Sequence, residues 1–196
     1  MEMELIITGL VAYLLGSIPF GVVLARTQKI NLTEHGSGNI CATNAARVLG
    51  KKAGVLTLIG DLLKGMLAVF LADHFLKEPT GIAIAGALAF TGHLYSVFLK
   101  FKGGKGVATG LGVLLYVIPI PTLCATGIFG LILWSFRYVS LGSILSAFAI
   151  PMLAWYFKEP QPYILLSSFI AIFIIERHHA NIKRLLTGTE NKFKSK

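Results

Sequence analysis

Three polar segments hold most of the side chains that could do chemistry. The first reads His35-Gly36-Ser37-Gly38-Asn39-Ile40-Cys41-Ala42-Thr43-Asn44-Ala45-Ala46-Arg47, and no carboxylate interrupts it. This mixture suits an anion. Glycines such as Gly38 let backbone N–H groups approach a phosphate without a Cβ in the way. Ser37, Asn39, Thr43 and Asn44 add neutral donors, and Arg47 adds a planar charged fork. The plainer reading is a turn followed by a helix N-cap.

The second segment runs from Gly92-His93 to Gly103-Gly104-Lys105-Gly106-Val107-Ala108-Thr109. Its Gly-Gly-Lys-Gly run directly precedes an apolar helix, so backbone donors, the helix N-terminus and Lys105 could converge on one anion. It is not a P-loop, because the Gly-x4-Gly-Lys-Ser/Thr spacing and a preceding strand are both missing. Lys100 and Lys102 also read as topological stops at a membrane edge. The third segment is Glu176-Arg177-His178-His179-Ala180-Asn181-Ile182-Lys183-Arg184-Leu185-Leu186-Thr187-Gly188-Thr189-Glu190. A continuous helix there puts His178, Asn181 and Arg184 or Leu185 on roughly one face, with His179 and Lys183 on another. An interfacial helix meeting lipid headgroups is the structural alternative.

Polar groups inside apolar stretches are fewer. Asp61 and Lys64 stand three residues apart. They read first as a packing ion pair and second as site members. Gly16-Ser17-Ile18-Pro19-Phe20-Gly21 marks a close helix contact or a kink. Ser143 falls near a predicted membrane boundary, where it could donate to an oxyanion. Cys41 and Cys124 are the only cysteines and lack ligand spacing, so no disulfide, metal or other cofactor is expected.

The elements that position these segments are set by the solvent. The 196 residues are 55% hydrophobic and 14% charged, too apolar for a chain that must cover itself in water. Seven apolar stretches are expected as membrane helices: about 4–25, 53–76, 81–99, 107–118, 122–136, 141–157 and 162–176. The fourth and fifth are short and separated by Pro119-Ile120-Pro121, so they are short tilted helices or one broken helix. Met1-Glu2-Met3-Glu4 lacks the basic region of a signal peptide, so the first stretch reads as a retained helix. Counting seven spans puts 15 of the 18 Lys and Arg residues on one face, in segments 26–52, 100–106, 137–140 and 177–196. The bias of cytoplasmic loops toward Lys and Arg then predicts the N-terminus outside and the C-terminus in the cytoplasm. The fold class expected is an all-α integral membrane protein, one polytopic domain over residues 1–196. The net charge of +9 reflects that topology, and no nucleic-acid partner is expected. The Lys-rich tail from Asn191 to Lys196 is expected near anionic headgroups.

Taken in order, three patterns carry a resemblance: Gly-Ser-Gly-Asn-x-x-Ala-Thr-Asn-x-x-Arg from Gly36, Gly-His-x4-Phe-x-x-Phe-x-Gly-Gly-Lys-Gly-Val-Ala-Thr from Gly92, and His-x-x-Asn-Ile-x-Arg-Leu-x-x-Gly-Thr-Glu from His178. With Asp61-x-x-Lys64-Gly65, they resemble the bacterial acyl-phosphate:glycerol-3-phosphate acyltransferases, the PlsY family, from Gly16 to Glu190. Two positions depart from the family: Cys41 stands where glycine is usual, and Ser96 where proline is common. A requirement for positive φ at position 41 is therefore in question, while Ser96 is expected to matter less.

The resemblance implies transfer of an acyl group from acyl phosphate to the 1-hydroxyl of glycerol 3-phosphate, giving lysophosphatidic acid and phosphate. It implies a multi-pass protein of the bacterial cytoplasmic (inner) membrane with its site on the cytoplasmic face. The bilayer and both phosphate substrates are its partners, with a functional link to the soluble enzyme that makes acyl phosphate. His178, Lys105 and Asn181 are the catalytic residues on this reading. Ser37, Gly38, Asn39, Thr43, Asn44, Arg47, Gly103, Gly104, Ser143 and Arg184 bind substrate. The base is His178 or a substrate phosphate oxygen. No histidine is followed five residues later by aspartate, so the His-x4-Asp motif resembling thioester-using acyltransferases is absent. A phosphate or organic-anion transporter is the competing class, but such proteins place their sites near the midplane between internal repeats, and no repeat is visible here.

Overall fold

A computed structural model describes residues 2–193, so Lys194, Ser195 and Lys196 of the Lys-rich tail lie outside the described residues. It contains ten α-helices in chain order: α1 Glu2–Ser17, α2 Phe20–Thr27, α3 Ala42–Leu49, α4 Lys51–Leu76, α5 Pro79–Leu94, α6 Val107–Val117, α7 Pro119–Phe136, α8 Val139–Tyr156, α9 Gln161–Arg177 and α10 His179–Leu186. Among the described residues the only β pairing is an isolated bridge between Ser96 and Lys102.

Each predicted apolar stretch is mostly helical, but 4–25 breaks at Ile18 and Pro19, α5 ends at Leu94 within 81–99, and the spans are less uniform than expected. α4, α7 and α8 are long and apolar enough to cross a membrane. The count rises to 5 if the bent pairs α1 with α2 and α9 with α10 each make one span. α5 has 16 residues and α6 has 11, both short of the ~20 that a perpendicular crossing takes. Pro119 opens α7 at its first turn, where a missing N–H costs little, so the fourth and fifth stretches are separate helices. Trp134, Trp155 and Tyr156 are 76%, 73% and 72% exposed near the ends of α7 and α8, as interfacial aromatics are.

The chain forms two compact units, Met1–Tyr116 and Val117–Lys196. In the first, small residues let helices approach. Gly16 of α1 lies on the carbonyl of Ala89, and Gly92 of α5 lies on that of Tyr13, so a Cβ at either would strike backbone. Gly65 and Gly112 meet the carbonyls of Thr109 and Leu62 in the same way, which seats α6 on α4. Packing through small residues is the usual device where lipid removes the hydrophobic drive between helices. In the second unit, α8 packs between α7 and α9, and α10 leans on α8 and α9.

The Gly16–Gly21 run is both a contact and a kink. α1 stops at Ser17, Pro19 precedes α2, and the two helices bend by 41°. At this break the Ile18 carbonyl accepts a bond from Lys64 Nζ at 2.6 Å. Lys64 also pairs with Asp61 at 2.7 Å, the packing ion pair read from the spacing, and both side chains are 3% exposed. Removing one member of such a pair leaves an uncompensated buried charge, at a cost of about 3–5 kcal/mol. Lys64→Met should therefore lower the unfolding midpoint in lipid or detergent sharply, and Asp61→Asn/Lys64→Met should recover part of it. Thermal unfolding of wild type and the two variants checks this.

Candidate functional site

The first polar segment is built around one side chain. Asn44 is 2% exposed, and its Oδ1 accepts from the Ser37 N–H at 2.8 Å. Its Nδ2 donates to the carbonyls of Asn39 at 2.8 Å, His35 at 3.1 Å and Leu32 at 3.2 Å. The amide is spent on holding the loop, so Asn44 shapes the segment from within, where the sequence reading had it facing a ligand. Gly36 and Gly38 take φ of 65° and 70°, which closes the turn around that amide, and a Cβ at Gly36 would strike Asn44 Oδ1. Asn39 turns its own Oδ1 onto the Cys41 N–H at 3.0 Å. Ser37, Gly38, Thr43 and Arg47 are exposed, and these remain on the surface of the segment.

Cys41 takes φ −77° and ψ 164° ahead of α3, an extended conformation open to any residue. The absence of glycine therefore costs nothing in backbone strain. Its sulfur instead meets the second segment, accepting the Lys105 N–H at 3.2 Å and lying 4.0 Å from His93 Nε2. Burial pushes the thiol up to about 11, with the Lys105 N–H offsetting part of that rise, so it is protonated at neutral pH.

The glycine-rich loop is seated on His93. Gly104 donates its N–H to the His93 carbonyl at 3.2 Å, and a Cβ on Gly104 would strike both His93 Nε2 and Cys41 Sγ. Gly103 lies equally tight against the carbonyls of His93 and Leu94. The N–H groups of Gly104 and Lys105 thus face protein, so these two are not among the backbone donors expected to meet an anion. The helix α6 starts directly after the loop, at Val107, and the Lys105 side chain is half-buried. His93 is 3% exposed, its Nδ1 3.0 Å from Thr109 Oγ1 and 3.7 Å from Asp61 Oδ1. Ser96, expected to matter little, is 1% exposed and donates from Oγ to the Ser17 carbonyl at 2.6 Å.

In the second unit the helix does not run through His178. It bends by 57° there, with His178 ending α9 and opening α10. His178 is 3% exposed, and its Nδ1 sits 2.7 Å from the Ile174 carbonyl. A carbonyl can only accept, so Nδ1 carries the proton and the lone pair of the neutral ring lies on Nε2. Asn181 and Arg184 share a face of α10 and converge on Glu190, which folds back after Gly188. Asn181 Nδ2 reaches Glu190 Oε1 at 2.6 Å, Arg184 Nε reaches Oε2 at 2.6 Å, and Ser140 Oγ reaches Oε1 at 2.7 Å. Arg184 is thereby oriented through its Nε. Ser143 is 6% exposed and bonds its own helix at the Val139 carbonyl, 3.0 Å away, so Ser140 is the serine that joins the cluster.

Four residues without an assigned role emerge as organisers: Cys41, His93, Thr109 and Glu190. His93 and Glu190 lay inside the motifs, but nothing in residue type says which way a side chain turns. Among the described residues, no group of three or more His, Cys, Asp and Glu could hold a metal ion.

A family model described as glycerol-3-phosphate acyltransferase matches residues 6–188. The chain is 52% identical over 189 residues to a glycerol-3-phosphate acyltransferase of Syntrophotalea carbinolica, covering 95% of this chain and 96% of that one. It is 49% identical over 183 residues to the protein of the same name from Geotalea daltonii, covering 93% and 94%. Two crystal structures of PlsY (YgiH), an integral membrane glycerol 3-phosphate acyltransferase, are also similar, each at 40% identity. The glycerol 3-phosphate form gives a TM-score of 0.91 with 97% of this chain and 96% of that one covered. The lysophosphatidic acid form gives 0.88, with 97% and 95% covered.

The Glu190 cluster makes a pH prediction. Burial alone would raise this carboxyl, but the bonds from Ser140, Asn181 and Arg184 outweigh it and hold the group below its usual 4.5. A carboxyl lowered on folding stabilises fully above its unfolded value and loses that contribution as pH falls through the folded value. Glu190→Gln should therefore unfold at lower temperature than wild type at pH 7, with the gap closing below pH of about 4.5. Thermal unfolding of both proteins across that range checks it.

Proposed function

Since the chain belongs to the glycerol-3-phosphate acyltransferase family, we propose that it transfers an acyl group from acyl phosphate to the 1-hydroxyl of glycerol 3-phosphate, releasing lysophosphatidic acid and phosphate. The observation that carries this reading lies within the second unit, where Asn181 and Arg184 converge on Glu190 just after His178; within the first unit, the Lys105 N–H of the Gly-Gly-Lys-Gly loop is held by Cys41. Both substrates bear phosphate, and the cations Arg47, Lys105 and Arg184 are assigned to hold them. Ser37, Gly38, Asn39, Thr43, Gly103 and Gly104 shape or line the phosphate contacts. Asn44 acts through the loop it holds, and Ser143 through α8.

Acyl phosphate is a mixed anhydride with a good leaving group, so orientation and charge stabilisation suffice for most of the barrier. The 1-hydroxyl oxygen adds to the carbonyl carbon, the bond from that carbon to the bridging oxygen breaks, and phosphate leaves with the electron pair. The hydroxyl proton passes to His178 Nε2 or to a phosphate oxygen, and the Nδ1 bond to Ile174 supports the first route. His178→Gln separates the two. A loss of kcat with unchanged KM assigns the base to His178, and a retained kcat assigns it to the phosphate.

The reading places the chain in the bacterial inner membrane as one polytopic domain. It crosses seven times with the N-terminus outside, its chemistry on the cytoplasmic face and its donor supplied by a soluble enzyme. The test of function offers the purified protein in lipid labelled glycerol 3-phosphate with acyl phosphate, acyl-CoA or acyl carrier protein in separate reactions. Lysophosphatidic acid should form from acyl phosphate alone. Product from either thioester instead would overturn the donor assignment. Lys105→Ala and Arg184→Ala should each lower kcat/KM about ten- to a hundredfold, as expected for one charge-assisted phosphate contact.

A further inference from the structure

We propose that His93 is a positioning residue for the loop at residues 103–106, acting through the Cys41 thiol, so that a hydrogen-bonded relay from the membrane interior fixes how Lys105 is presented. The inference rests on the reading that Lys105 holds a substrate phosphate.

The geometry runs in one direction. The Lys105 N–H donates to Cys41 Sγ at 3.2 Å. The thiol lies 4.0 Å from His93 Nε2, the outer range of a sulfur hydrogen bond. On the far side of the ring, Nδ1 faces Thr109 Oγ1 at 3.0 Å and Asp61 Oδ1 at 3.7 Å. A neutral thiol can donate to Nε2, which puts the ring proton on Nδ1, toward Thr109 and the Asp61 carboxylate. Every link then donates toward the buried carboxylate that Lys64 neutralises. Steric fit points the same way, since no space for a methyl group exists between Gly104 and the pair His93 and Cys41. The loop is thus clamped by a side chain from each of two other elements, and its backbone also hangs on the His93 carbonyl.

A relay of this kind acts before chemistry. It presents the lysine in one geometry, so its loss weakens capture of the phosphate the loop holds and leaves the reacting groups in place. The thiol supplies both an acceptor for Lys105 and a donor for His93.

The test is steady-state kinetics in lipid, varying each substrate in turn, for wild type, Lys105→Ala, His93→Asn, Cys41→Ala and Cys41→Ser. Lys105→Ala identifies the substrate whose KM depends on the loop. His93→Asn keeps a polar group toward Thr109 but removes the Nε2 edge. It and Cys41→Ala should raise that same KM about three- to tenfold, the size of one lost neutral hydrogen bond, with kcat within about twofold and the other KM unchanged. Cys41→Ser, which keeps acceptor and donor, should restore the KM. A Lys105→Ala effect with wild-type KM in both His93→Asn and Cys41→Ala would overturn the relay and leave the phosphate reading intact. Lost kcat at unchanged KM would also overturn it. No response to Lys105→Ala would overturn the phosphate reading and the relay with it. If His93→Asn does not fold, the Cys41 pair, which lies outside the membrane helices, decides the matter alone.

Discussion

The absence of water around the membrane helices is the constraint on which the first unit depends. A backbone carbonyl released by a helix break must find a partner within the protein. Lys64 meets that need at the break between α1 and α2, donating to the Ile18 carbonyl while Asp61 neutralises its charge. A charge pair so placed then dictates its neighbours. Gly65, one residue on, lets α6 lie close enough for Thr109 to reach His93, and Asp61 faces that same ring. What begins as a solution to an unpaired carbonyl ends as the floor beneath the glycine-rich loop.

Each unit then spends one polar side chain on organising its own segment. In the first it is the neutral amide of Asn44, saturated by one donor and three carbonyls. In the second it is the carboxylate of Glu190, which draws Ser140, Asn181 and Arg184 together. Both organisers face inward. Ser37, Thr43, Arg47, Lys105 and Arg184 are exposed or half-buried, and the proposed function assigns them to substrate. Stored order of this kind lets a site rely on orientation, which would suit the activated donor of the proposed function.

Much of this was legible in the residues. Apolar runs marked the helices because lipid exposure leaves little else to choose from, and the spacing of Asp61 and Lys64 predicted their pairing. Span lengths were not legible, because α5 and α6 are shorter than a full crossing while retaining its composition. The break at His178 was missed because no proline or glycine marks it. Side-chain direction was the larger loss. Asn44 and Ser143 have the chemistry of ligand donors yet bond inward, and Cys41, read only as a missing glycine, joins two motifs through its sulfur.

The central claim is that the reaction is acyl transfer from acyl phosphate, with attack at the carbonyl carbon. The most direct measurement uses acyl phosphate carrying oxygen-18 in the bridging position, incubated with the purified protein and glycerol 3-phosphate, with both products analysed by mass spectrometry. Attack at carbon predicts that the released phosphate carries the label and the lysophosphatidic acid carries none of it. Label retained in a fatty acid product, with a phosphoryl group passed to the acceptor, would contradict the account.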